Sequence, residues 1–403
     1  MNEFIESKVS LAWSDMKPSY DVVIIGGGGH GLATAYYLAT RHRITDVAVI
    51  ERGYIGSGNS GRNTTIIRAN YGVPASVAFY QHSLELYQSL EAETDRWIMH
   101  KEKGLLWMHH TEMGIRTERA RAHMNREFGA ETTFLGPEEI KRLVPEVDLN
   151  GGGRYPVLGG SYHARGSTAR HDRVVWAYAE GAMNRGVDVL QRTTATGIRL
   201  DGGNRVSGVA TDRGFISTPV VVSATAGQTT TITDMVGLRM PIRTHPLQAL
   251  VTNHYQQTFK PIVASAELAF YVSQTPRGEM LMGAEWDRQP SYSYRSGVEF
   301  LRSCTAKAIA LLPFLSDLKV LRQWTGVCDI SPDSSPILGR TPVEGFFVSG
   351  GWGTWGFKAI PAGGEQMAQL VATGRVSDLI APFSLERFAN DRILADAGSA
   401  GTQ

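Results

Sequence analysis

One short turn and a carboxylate downstream of it carry the clearest chemistry in this sequence. Gly26, Gly28 and Gly31 hold the first, third and sixth places of Gly26-Gly27-Gly28-Gly29-His30-Gly31, and Glu51 ends the next apolar run. That spacing binds a dinucleotide. Gly26 allows a tight turn, Gly28 lets backbone approach a pyrophosphate, and Gly31 lets a helix pack close on a strand. N–H groups at the helix start then hold phosphates, and Glu51 accepts from a ribose hydroxyl. Two further glycine-rich stretches follow. Residues 56–68 are small and hydroxyl-rich, then end in Ile66-Ile67-Arg68, which suits a segment lying flat beside a planar ligand or, more plainly, a solvated loop. The third is Gly350-Gly351-Trp352-Gly353-Thr354-Trp355-Gly356-Phe357-Lys358. His109 and His110 adjoin, but no carboxylate or cysteine falls at ligand spacing, so they read as surface histidines and not as a metal site.

The fingerprint works only between a strand and a helix. Tyr20-Asp21-Val22-Val23-Ile24-Ile25 is a β-branched run suited to a strand buried on both faces, residues 32–40 read as helix, and residues 46–51 as the next strand. Residues 220–227 form a second buried strand ending in Gly227, the carboxyl end where doubly wound sheets bind ligands. Helical spacing recurs over 76–91 (Val77, Tyr80, Leu84, Tyr87), 111–127 and 296–312, and a helix opens at Gly136-Pro137-Glu138-Glu139. Residues 151–168 look turn-like, with Ser167 or Thr168 capping a helix through His171 to about Asn184. A last helix is expected over 363–373.

Strands are expected at 104–108, 187–190, 195–200, 206–211 and 346–348. Four short strand-like runs between 246 and 284, with no helix among them, imply an antiparallel sheet. The fold class is therefore α/β: a doubly wound nucleotide domain from residues 20–90, 165–240 and 330–392, interleaved with an antiparallel-sheet substrate domain from 91–164 and 241–329. Residues 1–19 read as an arm with an amphipathic hint at Phe4, Val9, Leu11 and Trp13, and 393–403 as a frayed tail.

The chain has 403 residues, 42% hydrophobic and 20% charged, with net charge +1, which offers no electrostatic case for nucleic acid or an anionic membrane. No apolar window approaches the ~18 residues of a spanning helix. The first residues lack a basic region followed by an apolar core, and the two cysteines, Cys304 and Cys328, form no disulfide framework. A cytoplasmic protein is expected.

Residues 26–39, 62–68, Thr168-Ala169-Arg170-His171-Asp172 and Gly351-Trp352-Gly353-Thr354…Gly356-Phe357-Lys358 together resemble the β subunit of heterotetrameric sarcosine oxidase, among the D-amino-acid-oxidase-like flavoproteins. The resemblance covers about residues 18–392. It implies a glutathione-reductase-like domain holding FAD without a covalent bond. The contacts it implies are Gly26, Gly28, Gly29, His30, Gly31, Glu51, Asn59, Thr64, Ile66, Ala195, Gly227, Gly353, Thr354 and Lys358. It also implies FMN bound covalently to His171 beside Arg170 and Arg322, at an interface with a larger α subunit, with γ and δ partners and tetrahydrofolate handled by α. The substrate implied is a secondary N-methyl amino acid such as sarcosine.

Arg68 in this scheme grips the substrate carboxylate with a two-pronged fork and Lys358 adds a point charge. Joining His171 to a flavin methyl carbon needs a neutral imidazole, which the first turn of a helix favours. Three positions depart from the pattern of relatives. Gly326 occupies the place of the cysteine that links FAD in monomeric relatives, and Leu281 the place of their oxygen-activating lysine, so electrons are expected to leave FAD for FMN before reaching oxygen. Trp355 replaces a family glycine and brings an indole to the substrate site, which leaves N-methylglutamate, dimethylglycine, an opine or proline as alternatives. A non-catalytic subunit that binds FAD for assembly is the reading from another class.

Overall fold

The computed structural model describes residues 15–394, so the amphipathic part of the arm and the tail from 395 lie outside the described residues. Val22–Ile25 is buried at every position and forms the middle of a six-stranded sheet. Across it lie Ile337–Arg340, Phe346–Gly350, Val221–Ser223, Val22–Ile25, Val47–Glu51 and Asp188–Gln191, parallel except for the hairpin at 337–350. Parallel strands need cover on both faces, and their continuous Val/Ile content reflects that.

The α-helices among the described residues are α1 (Gly29–Arg41), α2 (Pro74–Thr94), α3 (Glu112–Glu127), α4 (Pro137–Leu143), α5 (His171–Met183), α6 (Thr229–Thr233), α7 (Val298–Leu311) and α8 (Gly356–Thr373). Helix α1 packs between α5 and α8. Gly364 permits the α8 contact, because a Cβ there would collide with Ala33. The first core joins these helices to one face of the sheet through Leu32, Val49, Tyr178 and Ile360.

A second, eight-stranded sheet runs Val320–Ile330, Arg243–Thr252, Met280–Gly283, Phe270–Gln274, Ile262–Ser265, Leu105–His109, Gly159–His163 and Thr132–Leu135. Its pairs are antiparallel except Ile262–Ser265 beside Leu105–His109. Helices α4 and α7 close its far face over a separate core containing Leu106, Phe270, Phe300 and Cys304.

Four expectations need correction. Residues 151–168 are not merely turns: Gly159–His163 is a strand between two partners, and Gly160 is needed there because a Cβ would press on the Trp107 carbonyl. Ser167 and Thr168 belong to a short strand and cap nothing; the residue before α5 is Arg170, without a side-chain cap. Helix α8 starts at Gly356, earlier than expected, and carries Pro361 inside it. Pro361 has no N–H for the Phe357 carbonyl, and Tyr87 of α2 supplies a hydroxyl to that oxygen at 2.6 Å instead. Finally, His109 and His110 are buried. His109 lies 3.1 Å from both Glu118, nine residues on, and Glu267 of a distant segment, and the two carboxylates hold its pKa up against burial. No group of metal-ligating side chains occurs among the described residues.

Candidate active site

A cavity of about 590 Å³ opens at the carboxyl ends of the parallel strands and reaches the second sheet. Gly26 has φ +116°, and a Cβ on it would strike the Ala224 carbonyl of the neighbouring strand. A Cβ on Gly31 would strike the carbonyl of Gly26, so the helix starts against the turn only because both are glycine. Gly28 is the residue before α1 and lines the cavity, with Ser60 Oγ 3.1 Å from where a Cβ would stand. Gly29 donates its N–H to Ser60 Oγ at 2.9 Å, and a Cβ on it would hit Ile360 of α8. Glu51 accepts from the N–H groups of Gly27 (2.9 Å) and Gly53 (2.8 Å), which fixes its carboxylate on the cavity wall.

His30 is less a ligand than a brace. Burial lowers it to about 4, so it is neutral; its Nε2 donates to the Gly356 carbonyl at 2.9 Å while its ring stacks on Trp352 at 4.2 Å. The Asn59 amide is spent on the backbone of Val327, donating at 2.5 Å and accepting at 3.0 Å. Thr64 donates to the Tyr271 hydroxyl at 3.0 Å, and Ile66, Ala195, Gly227, Gly353 and Thr354 line the cavity. Asp329, which sequence reasoning missed, accepts from Gly351 N at 2.5 Å and shapes the third glycine loop. Its burial raises it to about 6.

Arg68 and Lys358 meet on the side facing the second sheet, both buried and both lining the cavity. Arg68 donates to the Asn70 carbonyl at 2.5 Å and lies over the rings of Tyr71 (4.3 Å) and Trp107 (5.0 Å). Lys358 donates to the Thr354 carbonyl at 3.2 Å, and burial, then the nearby Arg68 charge, hold its pKa well below the usual lysine range. Trp355 is 1% exposed and meets Tyr71 edge-on at 4.8 Å, so it forms part of this wall.

A second cavity, about 1130 Å³, lies beside the first and brings together Arg170, His171 and Arg322. His171 begins α5; desolvation lowers its pKa, and Nδ1 has no hydrogen-bond partner. Arg170 is clasped by Asp172 at 3.0 and 3.1 Å, so its charge is already shared. Arg192 and Arg213 complete the cationic lining, and neither stood out in the sequence because each sits in an ordinary-looking turn.

The family model for FAD dependent oxidoreductases matches residues 21–370. The chain belongs to that family. It is 40% identical to sarcosine oxidase subunit beta of Arthrobacter sp, over 99% of this chain and 99% of the relative. It is 42% identical to sarcosine oxidase subunit beta of Rhodobacter capsulatus, over 97% of this chain and 94% of the relative. Among solved structures, L-proline dehydrogenase from P. horikoshii superposes with a TM-score of 0.88 at 29% identity, covering 94% of this chain and all of that one (100%). In this FAD-dependent oxidoreductase the glycine cradle, whose space side chains would fill, and the cavity-lining carboxylate of Glu51 fit the dinucleotide. Gly326 and Cys328 both border the cavity, but burial pushes the Cys328 thiol up, leaving it protonated and a poor nucleophile. Leu281 borders the second cavity. No helix among the described residues is long and apolar enough to cross a membrane.

Proposed function

We propose that this chain is the flavin subunit of a sarcosine-oxidase-like complex and oxidatively demethylates a secondary N-methyl amino acid. The observation that carries the reading is the buried pair Arg68 and Lys358 sharing one cavity with the glycine cradle. Basic side chains on the wall of this cavity suit an anionic ligand, and an amino acid's carboxylate provides one. FAD, when bound, supplies the two-electron oxidation of the substrate's C–N unit. The chain's own part is to hold the carboxylate with Arg68 and Lys358, and to wall off water with Trp107, Tyr271 and Trp355. The nearby cations also disfavour protonation of the substrate amine, which must react unprotonated.

The second cavity supports FMN attached to His171. Desolvation favours its neutral imidazole and Nδ1 has no hydrogen-bond partner, as suits a nucleophile, while Arg192, Arg213 and Arg322 bring positive charge to the cavity that would hold a flavin and its phosphate. Electrons would pass from FAD to FMN and then to oxygen, and the methyl carbon would leave as formaldehyde or pass to tetrahydrofolate. Tyr54, Trp97 and Leu321 are large, exposed and apolar: Tyr54 lines this cavity, Leu321 precedes Arg322, and Trp97 stacks under Arg173 of α5. That suits a covering α subunit in a cytoplasmic assembly with γ and δ partners. The two-domain division at residues 91–164 and 241–329 goes with this reading, the first sheet serving FAD and the second the substrate.

The L-proline dehydrogenase likeness favours a second reading, dehydrogenation of a cyclic secondary amino acid. Residues of the second sheet lining the first cavity include Leu105, Trp107, Ile262, Ala264 and Tyr271 but no cation, which weighs against a second substrate carboxylate and hence against N-methylglutamate. Anaerobic bleaching of the flavin by sarcosine, dimethylglycine, proline and N-methylglutamate separates these, and bleaching by none of them overturns amine oxidation. Acid precipitation tests the cofactors: FAD should be released, one flavin should remain on the peptide containing His171, and His171→Ala should release it. Unchanged turnover in Arg68→Ala or Lys358→Ala would restore the assembly-subunit reading.

A further inference from the structure

One stretch of chain borders both cavities. Tyr54, Ser57 and Arg62 line both of them. Between these residues the sequence is Ile55-Gly56-Ser57-Gly58-Asn59-Ser60-Gly61, with no side chain larger than asparagine after Ile55. Nothing approaches within 4 Å of a Cβ placed on Gly58. A segment so thin and so rich in glycine has little intrinsic rigidity, yet the structure fastens it at several points. Arg62 donates to the carbonyls of Ser57 and of Gly58, the latter at 2.9 Å, from one guanidinium nitrogen. The Arg62 carbonyl accepts from the indole N–H of Trp324 at 2.7 Å. Asn59 pairs with both backbone groups of Val327 on the same long strand. Gly61 N–H closes the loop on the Gly56 carbonyl at 2.9 Å, and Gly56 N–H ties it to Gly27 of the dinucleotide turn at 2.9 Å.

We propose that this fastened loop is the partition through which electrons cross between the two flavins, and that Arg62 is the positioning residue that keeps it thin and fixed. The inference rests on the two-flavin reading above. The step it serves is balanced: reduced FAD gives two electrons and is reoxidised, FMN takes the two electrons and is reduced, and the protons exchange with water. Tunnelling falls steeply with the gap, so a partition of small residues held against the strand at Trp324 and Val327 keeps the gap short. In Arg62→Ala two carbonyls lose their donor and the loop is held less firmly between its remaining ties at Asn59 and Gly56. Arg62→Lys retains one donor group and should restore part of the effect, because an ammonium reaches one carbonyl at a time.

The test uses the assembled complex, mixed rapidly with sarcosine without oxygen, so that reduction of the first flavin and transfer to the second are read as separate phases. In Arg62→Ala the transfer phase should slow by about tenfold, equivalent to about 1.4 kcal/mol on its barrier, relative to a much smaller change in the first phase. Arg62→Lys should fall between. Hydrogen exchange over residues 53–62 of the isolated chain should quicken in the alanine variant, a readout that needs no turnover. If the alanine variant does not assemble, Trp324→Phe, which keeps an aromatic side chain but loses the indole N–H that the Arg62 carbonyl accepts from, carries the same test. Transfer unchanged, or both phases slowed alike, overturns the partition while leaving two flavins in place. Absence of a covalent flavin from the parent complex overturns the two-flavin reading and this inference together.

Discussion

Lys358 is a buried ammonium whose charge depends on what sits beside it. Burial and then Arg68 depress its pKa, so before a carboxylate binds the site favours the neutral amine more than water does. A carboxylate ligand reverses that, because an adjacent anion raises a lysine's pKa. Binding of a substrate-like carboxylate should therefore take up a proton near and above the depressed pKa, and affinity should fall as pH rises through the pKa of the complex. Titration calorimetry in buffers of different ionisation heat measures the uptake, and Lys358→Met should abolish it. The same variant should lower kcat/KM by about 100-fold, on the order of 3 kcal/mol for losing one partner of a buried charge pair. Uptake that persists in the methionine variant would assign the proton elsewhere. Residue types and short spacings made this side of the site legible: Arg68 and Lys358 each close a recognisable stretch. Arg192, Arg213 and Glu267 beside His109 were not legible, since what gathers them is the packing of segments far apart in sequence, which no local pattern marks.

At the scale of elements, the sequence misleads where a local rule is overruled by a neighbour. Pro361 argues against a helix, and α8 runs through it because α2 supplies the missing groups. Tyr87 donates to the Phe357 carbonyl, and Ser83 donates to the Lys358 carbonyl at 2.7 Å while lying 3.4 Å from Ala362 N. These two hydroxyls also set where Lys358 leaves the helix. Tyr87→Phe should cost about 1–2 kcal/mol by leaving a buried carbonyl without a donor. In a Pro361→Ala background the new N–H reaches the same carbonyl, so the cost should shrink. A coupling of about 1 kcal/mol in the double-mutant cycle, read from denaturant unfolding, is the expected outcome, and additive effects would show that Tyr87 does not replace the lost bond. Gly159–His163 was hidden for the opposite reason. Its glycines look like turn residues, but Gly160 is glycine because the adjacent strand leaves no room for a Cβ.

For the whole molecule, the decisive fact is that the first cavity draws its wall from both sheets, from the turn at Gly26–Gly31 to Leu105, Ile262 and Tyr271. The cores beneath are distinct: one lies between α1, α5, α8 and the parallel strands, the other under α7. A ligand filling that cavity contacts elements belonging to both, so its binding energy stabilises their arrangement as well as each part. FAD at 100 times its Kd should add about 2.7 kcal/mol to stability, provided the unfolded chain does not bind it. Thermal unfolding should then rise with FAD concentration. Removing FAD should raise hydrogen exchange first in residues 56–68 and 350–358, the glycine-rich walls, while strands around Leu106 and Phe270, packed over α7, stay protected. Gly31→Ala supplies the control: its Cβ collides with the Gly26 carbonyl, so it should lose the FAD-dependent rise in melting temperature while the second core keeps its protection. If exchange instead rose evenly through both cores on FAD removal, the two sheets would form a single cooperative unit, and the cofactor would not be what couples them.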